Sequence, residues 1–156
     1  MAAKKMAIIA TKGALDMAYP PLILASTAAA LGWEVQIFFT FYGLQLLRKD
    51  LSGIAISPLA NPAMPMPVPM PVIVSVLPGM QAMATSMMKA KMKKKGVASL
   101  EELRSLCLEA DVKFIACQMT VDLFEFSKSD FIDGIEYGGA ATFMKFAGET
   151  DVCLFI

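Results

Sequence analysis

Three cysteines, Cys107, Cys117 and Cys153, are the side chains of this 156-residue chain best suited to making and breaking covalent bonds, and no histidine accompanies them. A thiolate needs no partner base when its pKa is low enough, so nucleophilic sulfur chemistry stays open. Ser-His-Asp and Cys-His relays within the chain are excluded, and so is the commonest zinc and haem ligand. No C-x-x-C pair occurs, which argues against a thioredoxin-type dithiol or a zinc ribbon. The cysteines are too few and too scattered for a secreted disulfide framework. The short apolar run after Lys5 has no signal-peptide cleavage pattern behind it. The chain reads as intracellular, cytoplasmic and reducing, with free thiols.

Position separates the three cysteines. Cys117 ends an apolar, β-branched run from Val112 and stands just before a helix signal. In open α/β sheets, ligands and reactive groups gather at the carboxyl ends of strands. Backbone N–H groups of Gln118 to Thr120 would lie near the sulfur there and lower its pKa. From position alone, a small buried core residue is the competing reading. Cys107 shares an apolar stripe with Leu100, Leu103 and Ala110, and Cys153 lies between Val152 and Leu154. Both read as core.

Three loops end at the same sheet edge. Thr11 to Asp16 would bring Lys12 and the Gly13 amide toward Cys117, although it lacks both glycine-rich phosphate-binding patterns. Thr40-Phe41-Tyr42-Gly43 follows the second strand, and Tyr137-Gly138-Gly139 adds a patch of small residues. The substrate-binding candidates around Cys117 are therefore Lys12, Gly13, Thr40, Tyr42, Gln118 and Thr120.

The elements that must position these residues follow from apolar spacing. Met6–Ala10 and Glu34–Thr40 predict strands. Leu22–Leu31 predicts a helix, with Pro20 and Pro21 in or near its first turn and Gly32 as its stop. Phe41–Lys49 predicts a second helix. Ser99 followed by Glu102 is a capping box opening a helix to about Ala110. Val112–Cys117 predicts a strand. A short helix is expected from about Thr120, a longer one from about Gly134 to Ala147, and a final strand over Val152–Ile156. Strands alternating with helices imply an α/β domain with a parallel sheet. The length fits one domain over 1–156.

A Pro/Met-rich insertion occupies about 51–95. From Leu51 to Met88 there is no charged residue, and seven of the nine prolines and seven methionines fall there. Met64 to Pro71 alternates proline with apolar residues and predicts polyproline II. Val72–Leu77 predicts a strand. Met80–Lys95 predicts a helix with Met80, Met83, Met87 and Met88 on one face and Lys89, Lys91, Lys93, Lys94 and Lys95 toward its end. The prolines leave no uninterrupted run of the about 20 apolar residues that spans a bilayer. Packing against a partner or a second subunit ranks first for this segment, peripheral contact with a membrane second, and Cu(I) binding by thioethers third. A net charge of zero argues against nucleic acid.

Val112 to Thr120, Phe131 to Thr142 and the terminal Cys153-Leu154-Phe155-Ile156 resemble the DsrE/DsrF-like family of sulfur-relay proteins, in particular its peroxiredoxin-like DsrE subfamily. Lys12 to Pro21, Phe38 to Arg48, and the methionine-rich stretch before Lys93 to Glu102 fit the same subfamily. The resemblance covers nearly the whole chain apart from the Pro-Met repeat. It implies a three-layer α/β/α fold, flavodoxin- or Rossmann-like in its layering, with a mostly parallel sheet of about five strands. It also implies a homo-oligomer and one cysteine that accepts sulfane sulfur as a persulfide. In the matching motif that cysteine is Cys117. The implied partner is a TusA-type carrier or another thiol donor or acceptor, and the implied activity is sulfurtransferase-type transfer without metal or organic cofactor. The alternative is a non-catalytic oligomeric adaptor that docks partners or a membrane through the Met/Lys-rich segment.

Overall fold

Five strands pair in parallel in the order β4-β3-β2-β1-β5: β1 (Lys5–Ala10), β2 (Glu34–Phe39), β3 (Lys113–Cys117), β4 (Glu136–Gly138) and β5 (Val152–Phe155). The computed structural model describes residues 2–58, 63, 67–68 and 71–156. The chain steps outward from β1 to β4, then returns past the start to add β5 on the other side. Helices α1 (Leu15–Ala30) and α4 (Leu100–Glu109) pack on one face together with α3 (Met80–Lys94), and α6 (Ala140–Ala147) packs on the other. This is the three-layer α/β/α arrangement. Ile8, Ile37, Phe39 and Phe114 are fully buried under the first face, each contributing roughly 1.5–3 kcal/mol. Phe143 of α6 stacks on Phe38 on the second, with ring centroids 4.9 Å apart.

The first helix begins seven residues before the expected Leu22, so Pro20 and Pro21 lie inside it. Each proline removes an intrahelical hydrogen bond. Tertiary contacts outweigh that loss: Leu15, Ala18, Tyr19 and Leu22 are buried on one stripe. The Leu15 N–H donates to Ala55 O at 2.7 Å, and the Tyr19 hydroxyl donates to Ala98 O at 3.0 Å. The Ser57 N–H and hydroxyl both donate to the Asp16 carboxylate at 2.7 Å, holding the start of the insertion against this helix.

Other expectations need correction. Phe41–Leu47 is a 3-10 helix rather than an α-helix, closed by three-residue bonds from Gly43 N to Thr40 O and from Arg48 N to Gln45 O. Val72–Ser75 is not a strand but the short helix α2. β-branched residues favour strands only where a sheet receives them. These four residues pair with no strand of the sheet, and Ser75 Oγ instead donates to Val72 O at 2.6 Å. The long helix expected from Gly134 is divided: Glu136–Gly138 pairs with β3, and α6 starts only after Gly139. Met80, Ala84, Met88 and Met92 are the residues of α3 that pack on the core, while Met83 and Met87 face solvent. The Pro-Met repeat, with its expected polyproline II form and Met64, Met66 and Met70, lies almost entirely outside the described residues. Among the described residues no helix is long and apolar enough to cross a membrane.

Candidate functional site

β3 delivers Cys117 to the carboxyl edge of the sheet, where its extended backbone (φ −66°, ψ 109°) becomes the N-cap of α5 (Gln118–Leu123). Gly138 of β4 is its register partner on one side. On the other, Phe39 pairs with Ala116, so Thr40, one residue on, stands beside Cys117. Thr120 is fully buried in the first turn of α5. Its hydroxyl lies 3.1 Å from the Thr40 hydroxyl and accepts the Phe41 N–H at 3.3 Å. Sulfur, two hydroxyls and the Phe41 amide thus meet at one turn.

Cys117 is 5% exposed. Burial pushes its pKa up, but donation from the Thr120 hydroxyl and N–H, the Thr40 hydroxyl and the Met119 N–H holds it below the ordinary thiol value. Hydrogen bonds to the sulfur favour the anion, and here they outweigh the low-dielectric surroundings. Cys107 shows the opposite balance. Its burial pushes the thiol up to about 11 against the opposing Ser26 N–H, and the sulfur donates to Leu22 O at 3.4 Å. Cys107 therefore packs as the expected core residue. Cys153 does not: it is exposed on the edge strand β5. The helices leave that part of the sheet uncovered.

The binding candidates divide into two groups. Thr40 and Thr120 surround the sulfur. Gln118 is the first residue of α5, next to the sulfur in the chain, but its side chain donates to Asp122 Oδ1 at 2.7 Å. Lys12, Gly13 and Tyr42 line a separate shallow cleft of about 370 Å³ with Met17, Gln45 and Ser57, and Cys117 is not part of it. Tyr42 borders both places, since its ring also stacks on Phe124 at the end of α5; for Lys12 and Gly13 the cause of the separation is the strand order. β2 lies between β1 and β3, so the loop after β1 is two strand spacings, about 10 Å, from the loop after β3.

Spacing alone did not reveal what fixes the Thr40 loop. Phe41 adopts φ 47°, in the left-handed region, which lets its N–H turn toward Thr120. Gly43 is buried where an added Cβ would strike the Ala10 carbonyl oxygen, so the 3-10 helix lies directly over the end of β1. Arg104 of α4 is buried and donates from Nη1 to Leu46 O at 2.9 Å and to Arg48 O at 2.7 Å. It clamps the far end of the same segment. The available signal was a lone arginine on the buried stripe of α4, beside Leu100, Leu103 and Cys107.

Known proteins resemble this chain over nearly its whole length. The DsrE/DsrF/DrsH-like family matches residues 2–155. The sulfur carrier protein DsrE2 of Allochromatium vinosum is 68% identical over 160 residues, covering 100% of both chains. The uncharacterized protein YrkE of Bacillus subtilis is 32% identical over 157 residues, covering 98% of this chain and 97% of its own. In three dimensions the ychN protein from E. coli superposes with a TM-score of 0.55 at 12% identity, over 98% of this chain and 99% of that one. That likeness bears on the fold alone.

Proposed function

This chain belongs to the DsrE/DsrF/DrsH-like family, and from that premise we propose that it is a sulfur carrier holding sulfane sulfur as a persulfide on Cys117. The observation carrying the reading is the Cys117 turn, where hydrogen-bond donors hold the thiol below its ordinary pKa. The name of the Allochromatium relative supports the same role.

The Cys117 thiolate attacks the outer sulfur of a donor persulfide, R–S–SH. A new S–S bond forms on Cys117, and the donor leaves as a thiolate, R–S⁻. In the second half an acceptor thiolate attacks the outer sulfur of Cys117–S–SH. The acceptor becomes the persulfide and Cys117 returns as a thiolate. Sulfur moves with no net oxidation, so neither half needs a metal, an organic cofactor or an outside oxidant. The rate follows thiolate fraction, nucleophilicity and access, as in thiol–disulfide exchange. Thr120, Thr40 and the Met119 amide stabilise the sulfur anion that is consumed in the first half and regenerated in the second. The low exposure of Cys117 limits loss of the outer sulfur to stray thiols. The exchange partner is a thiol-bearing protein such as a TusA-type carrier, and the working form is a homo-oligomer in a reducing compartment such as the cytoplasm.

The test is transfer itself. Protein loaded with a persulfide donor and then desalted is mixed with an acceptor protein bearing one thiol. The reading expects one sulfur to leave Cys117 and appear on the acceptor. Retention on Cys117, or release only as free sulfide, contradicts it.

A second role has its own observation. Val72, Ile73, Val76 and Leu77 project into solvent, and five lysines follow within 89–95. An apolar tip next to a basic helix suits peripheral contact with an anionic membrane surface. Co-flotation with anionic but not neutral vesicles, reduced by a Val72→Asp/Ile73→Asp pair, is expected. Absence of binding to anionic vesicles contradicts this role.

A further inference from the structure

Four large apolar side chains rim the cysteine turn and project into solvent: Phe41 and Tyr42 from the 3-10 segment, and Met119 and Leu123 from α5. They are between 44% and 65% exposed. Tyr42 and Phe41 both meet the Phe124 ring, at centroid distances of 6.0 and 6.3 Å, which joins the two segments into one patch. Met119 and Leu123 stand four residues apart, on one side of α5. Isolated exposed apolar residues are ordinary, but a contiguous group at a reactive atom marks an interaction face.

The charge around the patch is predominantly acidic, with Arg48 over the Phe126 ring and Lys49 bonded to the Asp130 carbonyl as the nearby bases from the 3-10 side. Residues 118–138 carry Asp122, Glu125, Asp130, Asp133 and Glu136 against the single base Lys128. That lysine sits over the Tyr137 ring, 4.6 Å from its centroid. Asp122 and Glu125 are exposed on α5 and at its exit, and Glu136 is exposed two residues before the register partner of Cys117. Among the described residues the ion pairs are those of Lys5 with Glu34 and Glu149, so these acids stay unneutralised. Most of the balancing bases lie elsewhere, notably the five lysines of 89–95. The zero net charge of the chain hides a local excess of exposed acids on this face, Asp122, Glu125 and Glu136.

We propose that this face docks a small protein that presents its exchanging sulfur on a basic surface with an apolar tip. The proposal rests on the sulfur-carrier reading and adds the chemistry of the partner. A second copy presenting the same face would set acid against acid, which opposes a two-fold self-contact here. A cationic partner is drawn in by these acids and then buries the four side chains. This combination suits a fast and short-lived encounter.

The test uses the full chain with Cys153→Ser, which leaves Cys117 as the more exposed of the two remaining thiols. The probes are two short cysteine peptides, one flanked by lysines and one by glutamates. Each carries 5-thio-2-nitrobenzoate as a mixed disulfide. The Cys117 thiolate attacks the peptide sulfur and expels the coloured thiolate, whose release is timed. Rates are divided by those of 2-mercaptoethanol with the same peptide. The lysine peptide is expected to react about tenfold faster at low salt, with the preference collapsing at high salt and in Asp122→Asn/Glu125→Gln/Glu136→Gln. Equal rates, a preference for the acidic peptide, no exchange with either peptide, or self-association that protects Met119 and Leu123 would overturn the proposal. Loading of Cys117 by a small persulfide donor reads the sulfur-carrier function separately, so the two readings fail by different results.

Discussion

Thr120 is out of reach of water, and its hydroxyl accepts from the Phe41 N–H while lying 3.1 Å from that of Thr40. One lone pair is thereby occupied by a donor, and the hydroxyl proton is available to the sulfur. Thr120→Val keeps the shape and removes that proton. The sulfur anion then loses a donor while its burial is unchanged, so the pKa of Cys117 rises. At neutral pH less thiolate is present, and alkylation of Cys117 should slow by about threefold to tenfold. The inflection of the rate–pH profile should move upward. An unmoved inflection would contradict the role given to Thr120. Cys107, pushed up to about 11 and fully buried, should stay unmodified at pH 7 until the protein unfolds, as alkylation with and without denaturant will read. Cys117 was legible in the sequence because a strand ended and a helix began on either side of it. Its neighbours were legible only in part. Thr40 and Thr120 met it, whereas Lys12 sits beyond β2, because strand order is not written in local spacing.

At the scale of elements, the 3-10 segment Phe41–Leu47 holds the site. Its first amide bonds to Thr120, and its last carbonyls are held by Arg104. Arg104→Leu preserves apolar packing but leaves the Leu46 and Arg48 carbonyls without their charged donor. A loss of about 2 kcal/mol in chemical denaturation is expected, and a change within experimental error would contradict the clamp. Ser99 caps α4 through a complete capping box with Glu102, so Ser99→Ala should cost about 1 kcal/mol in the same assay. That cap was plain in the sequence because its signal is local. The start of α1 was not, because two prolines argue locally for a later start and only packing by Leu15 and Tyr19 overrides them. α2 was misread for the converse reason. Its β-branched residues favour a strand, but no strand of the sheet pairs with them. β4 was hidden because three residues pairing at a sheet edge carry too little pattern to interrupt a helix signal.

The whole molecule divides its surface by charge and by cover. Acids gather around Cys117, lysines gather at the end of α3, and α6 covers only part of its face of the sheet. On the uncovered side Phe155 is 73% exposed beside Cys153. A homo-oligomer would shelter these residues. Sedimentation should then give a multiple of 16.8 kDa for the wild type and a smaller species for Phe155→Asp. A wild type that sediments as a monomer contradicts this assembly. The parallel α/β architecture was legible from alternation, but the open β5 edge was not, since it depends on how far one eight-residue helix reaches. The docking face and the role of the hydroxyl pair both presuppose a sulfur held on Cys117. Intact-mass and peptide-mapping spectrometry after exposure to a persulfide donor tests that most directly. The wild type should gain one sulfur atom, mapped to Cys117, and Cys117→Ser should gain none. A gain that persists in Cys117→Ser, or no gain in a wild type whose Cys117 remains alkylatable, would contradict it.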